Sequence, residues 1–191
     1  SLTLLGTGTC QIEYERRASS VLLELGGTYI LFDCGHGVVQ RLLEVGVQHN
    51  QVNHIVLSHF HPDHVSDLVP FLQAGAWSRR DPRSSDIHIY GPHGVRRVVD
   101  GLMNVFKPDS FQQPSYSVVV HELGEERFTI GSHAFDFVSL PPADNHGLRF
   151  RSHGRSYAIT GDSYFRPEEI AFLEDIDLAI IDSGHIEDSD I

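Results

Sequence analysis

Cysteine is scarce in this chain: Cys10 and Cys34 are its only two in 191 residues. Two thiols cannot build a disulfide framework, so the composition points away from an oxidising compartment and towards the cytoplasm. No apolar run approaches the roughly 18 residues that a membrane span needs, and residues 1–8 lack the basic and apolar regions of a signal peptide. No membrane partner is expected. Positive charge is in deficit, with 14 basic side chains against 26 acidic ones and a net charge of −12. That balance works against broad electrostatic capture of nucleic acid. Repeats of fixed period and low-complexity linkers are also missing, which excludes solenoids and arrays.

What is present is a chain with 40% hydrophobic and 21% charged residues. At this size one compact domain with a real core is expected over residues 1–191. The basic residues are arginines except for Lys107, and several cluster: Arg16 with Arg17, Arg79 with Arg80 and Arg83, Arg96 with Arg97, and Arg149 with Arg151 and Arg155. Arginine's planar fork suits phosphate, so a local basic patch stays open beside the plainer reading of composition bias. Histidine decides more. Thirteen histidines, scattered and several of them beside aspartates, make metal binding the first hypothesis.

The chain opens with a short apolar run and Gly6–Thr7–Gly8. A hairpin follows, with runs 19–25 and 28–32 separated by Gly26 and Gly27. Helical spacing of Val38, Val39, Leu42 and Leu43 predicts a helix ending near Gly46. A buried-strand pattern at 54–58, a polar turn at 59–63 and a helix carrying Val65, Leu68, Val69 and Leu72 come next. A second strand and helix are read at 86–90 and 95–106, and five short strands at 116–123, 127–130, 134–140, 148–151 and 156–160. A short helix at 167–173 and a strand at 178–182 follow. Strands followed by helices in both halves predict an α/β sandwich of two mixed sheets with helices outside. Glu187, Asp188, Ser189 and Asp190 read as the capped acidic start of a further helix, and we expect a C-terminal helix and strand to be missing from these 191 residues.

The string LSHFHPDH, residues 57–64, carries the chemistry. Residues two apart in extended chain point the same way, so His59 and His61 can meet one ion from one side. A turn at Pro62 then lets Asp63 and His64 address a second ion. Imidazole and carboxylate are suitable donors for zinc, with manganese and iron as alternatives. A solvated polar turn is the plainer alternative.

This string resembles the signature of the metallo-β-lactamase superfamily, and other segments agree with it in order. YILFDCGHG resembles the family's aspartate–glycine motif. The resemblance implies that Asp33 orients the metal loop from behind its ligands. ITGDS places Asp162 where the family has the carboxylate that bridges the two ions, and His146 in PADNHGLRF resembles the third histidine of the first ion. Each residue also has a bland reading: an Asx turn at Asp33, a cap or turn at Asp162, an exposed loop histidine at His146. The fold implied is a four-layer αββα sandwich of two mixed β-sheets flanked by helices. The resemblance further implies two divalent ions, zinc foremost, and a hydroxide between them attacking phosphorus in line, with Asp63 able to accept a proton.

LLGTGT, DCGHG and IYGPHG look most like the ribonuclease Z and phosphodiesterase branch. No long Gly/Pro/Lys-rich arm lies between His64 and His146, and Ile181 and Asp182 stand where the endonucleases carry a His-Glu pair. A small phosphodiester, a cyclic nucleotide or an RNA 3′ end is therefore the expected substrate, with nucleic acid left open as a partner. Thioester, lactone or sulfate ester hydrolysis, and a non-catalytic member, remain the alternatives. The family's closing histidine has no counterpart in its usual place, and His185, in a different sequence context, is the candidate substitute. Dimers are frequent in the families that this chain resembles, so a homodimer stays open. Cys34 is read as a packing residue.

Overall fold

The computed structural model describes residues 1–107, 111 and 115–185. The acidic segment 187–190 lies outside the described residues. The chain divides into two compact units, Ser1–Glu122 and Leu123–Ile191. Among the described residues no helix is long and apolar enough to cross a membrane.

The first unit is built on a six-stranded sheet in sequential order: β1 (Leu2–Gly6), β2 (Ser20–Leu25), β3 (Thr28–Phe32), β4 (Val52–Val56), β5 (Ile87–Pro92) and β6 (Val118–Leu123). β1, β2 and β3 form the expected meander, and Gly26 and Gly27, both at positive φ, make the hairpin loop between Leu25 and Thr28. From β3 the sheet turns parallel, with Phe32 opposite Val56 and Val56 opposite Tyr90. Parallel neighbours need crossovers, and the helices supply them: α1 (Val38–Glu44), α2 (Pro62–Val65), α3 (Leu68–Trp77) and α4 (Val95–Val105). The expected turn at Pro62 is instead the first turn of a helix. Proline at the first helical position loses no hydrogen bond and arrives with a helical φ.

The core of this unit gathers Leu31, Leu42, Ile55, Leu57, Phe71, Ile89 and Val99, every one of them fully or nearly fully buried. Cys34 belongs to it, as expected. The arginine cluster at 79–83 divides on folding. Arg79 and Arg80 are exposed, whereas Arg83 is buried. Its guanidinium donates to Asn53 Oδ1 at 2.7 Å and to the carbonyls of His49 and Val52, and lies over the Phe71 ring. Burial pushes its pKa down to about 10. Arg83 ties the end of α3 to the start of β4 and is not part of a phosphate-binding patch.

The second unit carries a five-stranded mixed sheet in the order β11-β10-β9-β8-β7. The strands are β7 (Glu126–Ile130), β8 (His133–Leu140), β9 (Asn145–Ser152), β10 (Arg155–Ile159) and β11 (Leu178–Ile180). All pairs are antiparallel except β10 and β11, which α5 (Pro167–Leu173) connects in parallel. Phe172 of α5 packs on Leu140 and Ala158. β9 starts earlier than the expected Leu148: Gly147 pairs with Val138 and His146 with Ser139. Gly147 reads as punctuation in the sequence but is a packing residue, since a Cβ there would meet Phe172 at 2.6 Å and Leu140 at 2.8 Å.

Candidate metal centre

The chemistry-bearing residues of the first unit follow the carboxyl ends of the adjacent parallel strands β3 and β4, where open α/β sheets place their ligands. Asp33 N–H donates to the Val56 carbonyl at 2.9 Å, which carries the strand pairing one residue past β3. Asp33 then turns at φ 60 and points a fully buried carboxylate at the chain leaving β4. Its Oδ1 accepts the Ser58 N–H at 2.8 Å, and its Oδ2 lies 2.8 Å from Ser58 Oγ and 2.7 Å from His64 Nδ1.

These bonds set the histidine tautomers. The Ser58 hydroxyl proton goes to Asp33, so the same oxygen accepts from His59 Nδ1, 2.9 Å away. His59 is left with Nε2 as its lone-pair nitrogen. His64 gives its Nδ1 proton to Asp33 and turns Nε2 towards Asp63, whose Oδ2 is 3.9 Å distant. His59 Nε2 and His61 Nδ1 stand 2.9 Å apart, and the His59 and His64 rings have centroids 4.2 Å apart. Nitrogen lone pairs and a carboxylate oxygen so arranged are a fitting donor set for zinc, manganese or iron, with the far side of each buried imidazole already hydrogen-bonded.

Glycine makes this approach feasible. A Cβ on Gly35 would meet the Asp63 carbonyl at 1.8 Å, so the DCG turn and the HPDH turn touch only because residue 35 has no side chain. Cys34 N–H donates to the His64 carbonyl at 2.8 Å, and the Cys34 carbonyl accepts from Asp67 N–H at 2.9 Å. Burial, then Asp67 and Asp33, hold the Cys34 thiol well above its usual pKa.

In the second unit the pattern recurs at the carboxyl ends of the parallel pair β10 and β11. Thr160 N–H donates to the Ile180 carbonyl at 3.1 Å, and Asp182 N–H donates back to Thr160 Oγ1 at 3.0 Å. Asp162 and Asp182 are thereby brought together. Asp182 accepts from Gly184 N–H at Oδ1 and lies 2.6 Å from His185 Nδ1 at Oδ2. Asp162, Asp182 and His185 each offer one ligand atom, all within 4.8 Å of one another. His146 sits on β9, buried, its ring stacked on Phe137 at 4.6 Å. Asn145 beside it donates to the Thr160 carbonyl at 2.9 Å, tying the His146 end of β9 to the Asp162 end of β10.

Sequence reasoning passed over Ser58 and treated Asp182 only as a departure from a motif. The position of Ser58 inside the histidine string was the available signal for the first. The local turn Asp182–Ser183–Gly184–His185 was the signal for the second, and its neighbours Thr160 and Asp162 lie across a strand pair.

A family model described as "Beta-lactamase superfamily domain" matches residues 28–191, and the chain belongs to this superfamily. Curated relatives place it in the ribonuclease Z-like branch. The ribonuclease Z of Mycolicibacterium gilvum (strain PYR-GCK) is 33% identical over 176 residues, 85% of this chain and 61% of that protein. That of Pyrococcus horikoshii is 32% identical over 120 residues, 62% of this chain and 36% of that protein. The chain thus spans between 36% and 61% of the length of these two relatives. Among solved structures, the metallo-beta-lactamase fold protein YhfI from Bacillus subtilis matches with a TM-score of 0.76 at 21% identity, over 93% of this chain and 69% of that one. Human tRNase Z, short form, matches with a TM-score of 0.75 at 25% identity, over 93% of this chain and 76% of that one. The fold class read from the sequence, α/β with two mixed sheets and flanking helices, is the one found.

Proposed function

We propose that this chain is a metal-dependent hydrolase acting on phosphodiesters: a small diester, a cyclic nucleotide or an RNA 3′ end. His59, His61 and His146 are assigned to one divalent ion, Asp63 and His64 to a second, and Asp162 to both. The observation that carries this reading is the hydrogen-bonded set Asp33, Ser58, His59 and His64, which orients two imidazoles before any ligand arrives. The names of the ribonuclease Z relatives support the phosphodiester as substrate.

When bound, divalent ions supply a water that ionises near neutral pH and positive charge opposite the phosphoryl oxygens. The chain's own residues do the rest. Asp33 holds the proton on His64 Nδ1, and Ser58 Oγ takes the one on His59 Nδ1, so both rings keep Nε2 available as the donor atom. Asp63 Oδ2 is the assigned proton acceptor for the attacking water. Asp182 and His185 add a carboxylate and an imidazole beside Asp162, and His185 is the assigned substitute for the family's closing histidine.

The test is turnover of bis(p-nitrophenyl) phosphate against an aryl thioester by protein loaded with zinc or manganese. Chelator-sensitive diester hydrolysis that His61→Ala abolishes is the expected result. Full activity in H61A overturns the ligand assignment, preference for the thioester moves the substrate class, and inertness towards both favours a non-catalytic member.

A further inference from the structure

The arginine cluster at 149–155 takes no part in the metal centre. On β9, His146, Leu148 and Phe150 share one face of the sheet, so Arg149 and Arg151, at the alternate positions, leave from the opposite face to His146. Register puts Arg149 between Asp136 on β8 and Ala158 on β10, and Arg151 opposite Ser156. Ser132, Ala134 and Ser156 are too short to fill the space beside the arginines. The result is a cavity of about 560 Å³ in the second unit, which both guanidinium-bearing residues line together with His133 and Arg127.

The charges of this cavity are not all neutralised within it. Arg127 is committed to Asp136 through two bonds, 2.6 and 3.0 Å long, and holds that carboxyl below its usual pKa. Arg149 donates to the Glu174 main-chain carbonyl at 3.1 Å, which leaves its formal charge in place, and lies over the Phe172 ring. Arg151 is exposed at the rim. Asp175 is the other carboxylate in the lining. Three guanidiniums thus face two carboxylates in a chain of net charge −12. The volume falls within the roughly 300–1,000 Å³ of small-ligand sites and exceeds what a lone phosphate fills. Arginine presents a planar fork that matches phosphate oxygens two at a time.

We propose that this cavity binds the phosphate of a nucleotide through Arg149 and Arg151. A free mononucleotide and a nucleotide within a single RNA strand offer the same chemistry, and the strand is the source that the phosphodiesterase reading favours. The site does not depend on metal, so it is testable in chelator, where failure of the hydrolase reading has no influence.

The experiment titrates the full chain in EDTA with a fluorescein-labelled octaribonucleotide by anisotropy, and separately with AMP and inorganic phosphate by calorimetry. Arg151 is exposed, so Arg151→Glu perturbs charge without packing; Arg80→Glu, exposed in the other unit, is the control. We expect R151E to weaken the oligonucleotide about tenfold or more and to lower the log–log salt slope by about 0.7, with R80E unchanged. AMP binding that R151E also weakens, without oligonucleotide binding, supports the site and identifies a free nucleotide as its ligand. Equal loss in R151E and R80E, binding unaffected by R151E, or inorganic phosphate binding as tightly as AMP overturns the proposal.

Discussion

The two units present their donor groups in the same topological place and hold them by different means. In Ser1–Glu122 the donors follow the parallel pair β3 and β4, and a fully buried Asp33 bonds to both Ser58 and His64. In Leu123–Ile191 they follow the parallel pair β10 and β11, where Asp182, its side chain 13% exposed, holds the 39% exposed His185 three residues away within one local turn. Long-range bonding in a dry site makes the first set part of the fold. Local bonding beside water leaves the second adjustable.

The largest effect that sharpens this contrast belongs to Asp33→Ala. It strands the Ser58 N–H and hydroxyl and the His64 Nδ1–H in a buried site, and about 3–5 kcal/mol should be lost. Trp77, the chain's sole tryptophan, lies in that unit, so a urea titration followed by its fluorescence reads the loss directly. A change under about 1 kcal/mol would mean that the buried network is not a stabilising element.

Gly35→Ala comes next. A methyl group 1.8 Å from the Asp63 carbonyl must push the two turns apart, at a cost of about 1–3 kcal/mol and with weakened metal uptake. Asp182→Asn should cost less than about 1 kcal/mol because water replaces what the turn loses. If D182N proves as damaging as D33A, the contrast between the two units fails. His61→Ala should leave stability within about 0.5 kcal/mol, as the side chain is exposed, while metal per chain measured by elemental analysis falls.

Acid should also act on the first unit. His54, His88 and His121 stand on β4, β5 and β6, with His54 stacked on His88 and His88 Nδ1 2.9 Å from His121 Nε2. Burial, then His88 and His121, pushes His54 down to about 4, and burial first also lowers His121. A histidine with a depressed folded pKa is charged more readily when unfolded. Its stabilising contribution is therefore complete above about pH 6.5 and is lost as pH falls from there towards 4. Thermal melts across that window should show His54→Gln with a flatter profile than the parent chain, and parallel profiles would refute the assignment.

Much of this molecule was legible in residue order. Period-two and period-three-to-four patterns located nearly every strand and helix, and the donor types at 59–64 named their chemistry. The misreadings have physical causes. Pro62 reads as a turn because the helix it opens is only four residues long, and the strand read from Leu148 starts earlier because the packing of Gly147 against Phe172 is invisible without α5.

Side-chain chemistry and hydrophobic period are local properties, so residue order alone marks which side chains can ligate a metal and that they follow strands. Folding was needed to bring Asp33 to Ser58 and His64, 25 and 31 residues onward, to join Asp182 to Asp162, and to open Arg149 and Arg151 onto a cavity. The reason is strand register. Which strand ends lie side by side, and what stands opposite an arginine, is settled by pairing and packing over the whole sheet rather than by any one segment.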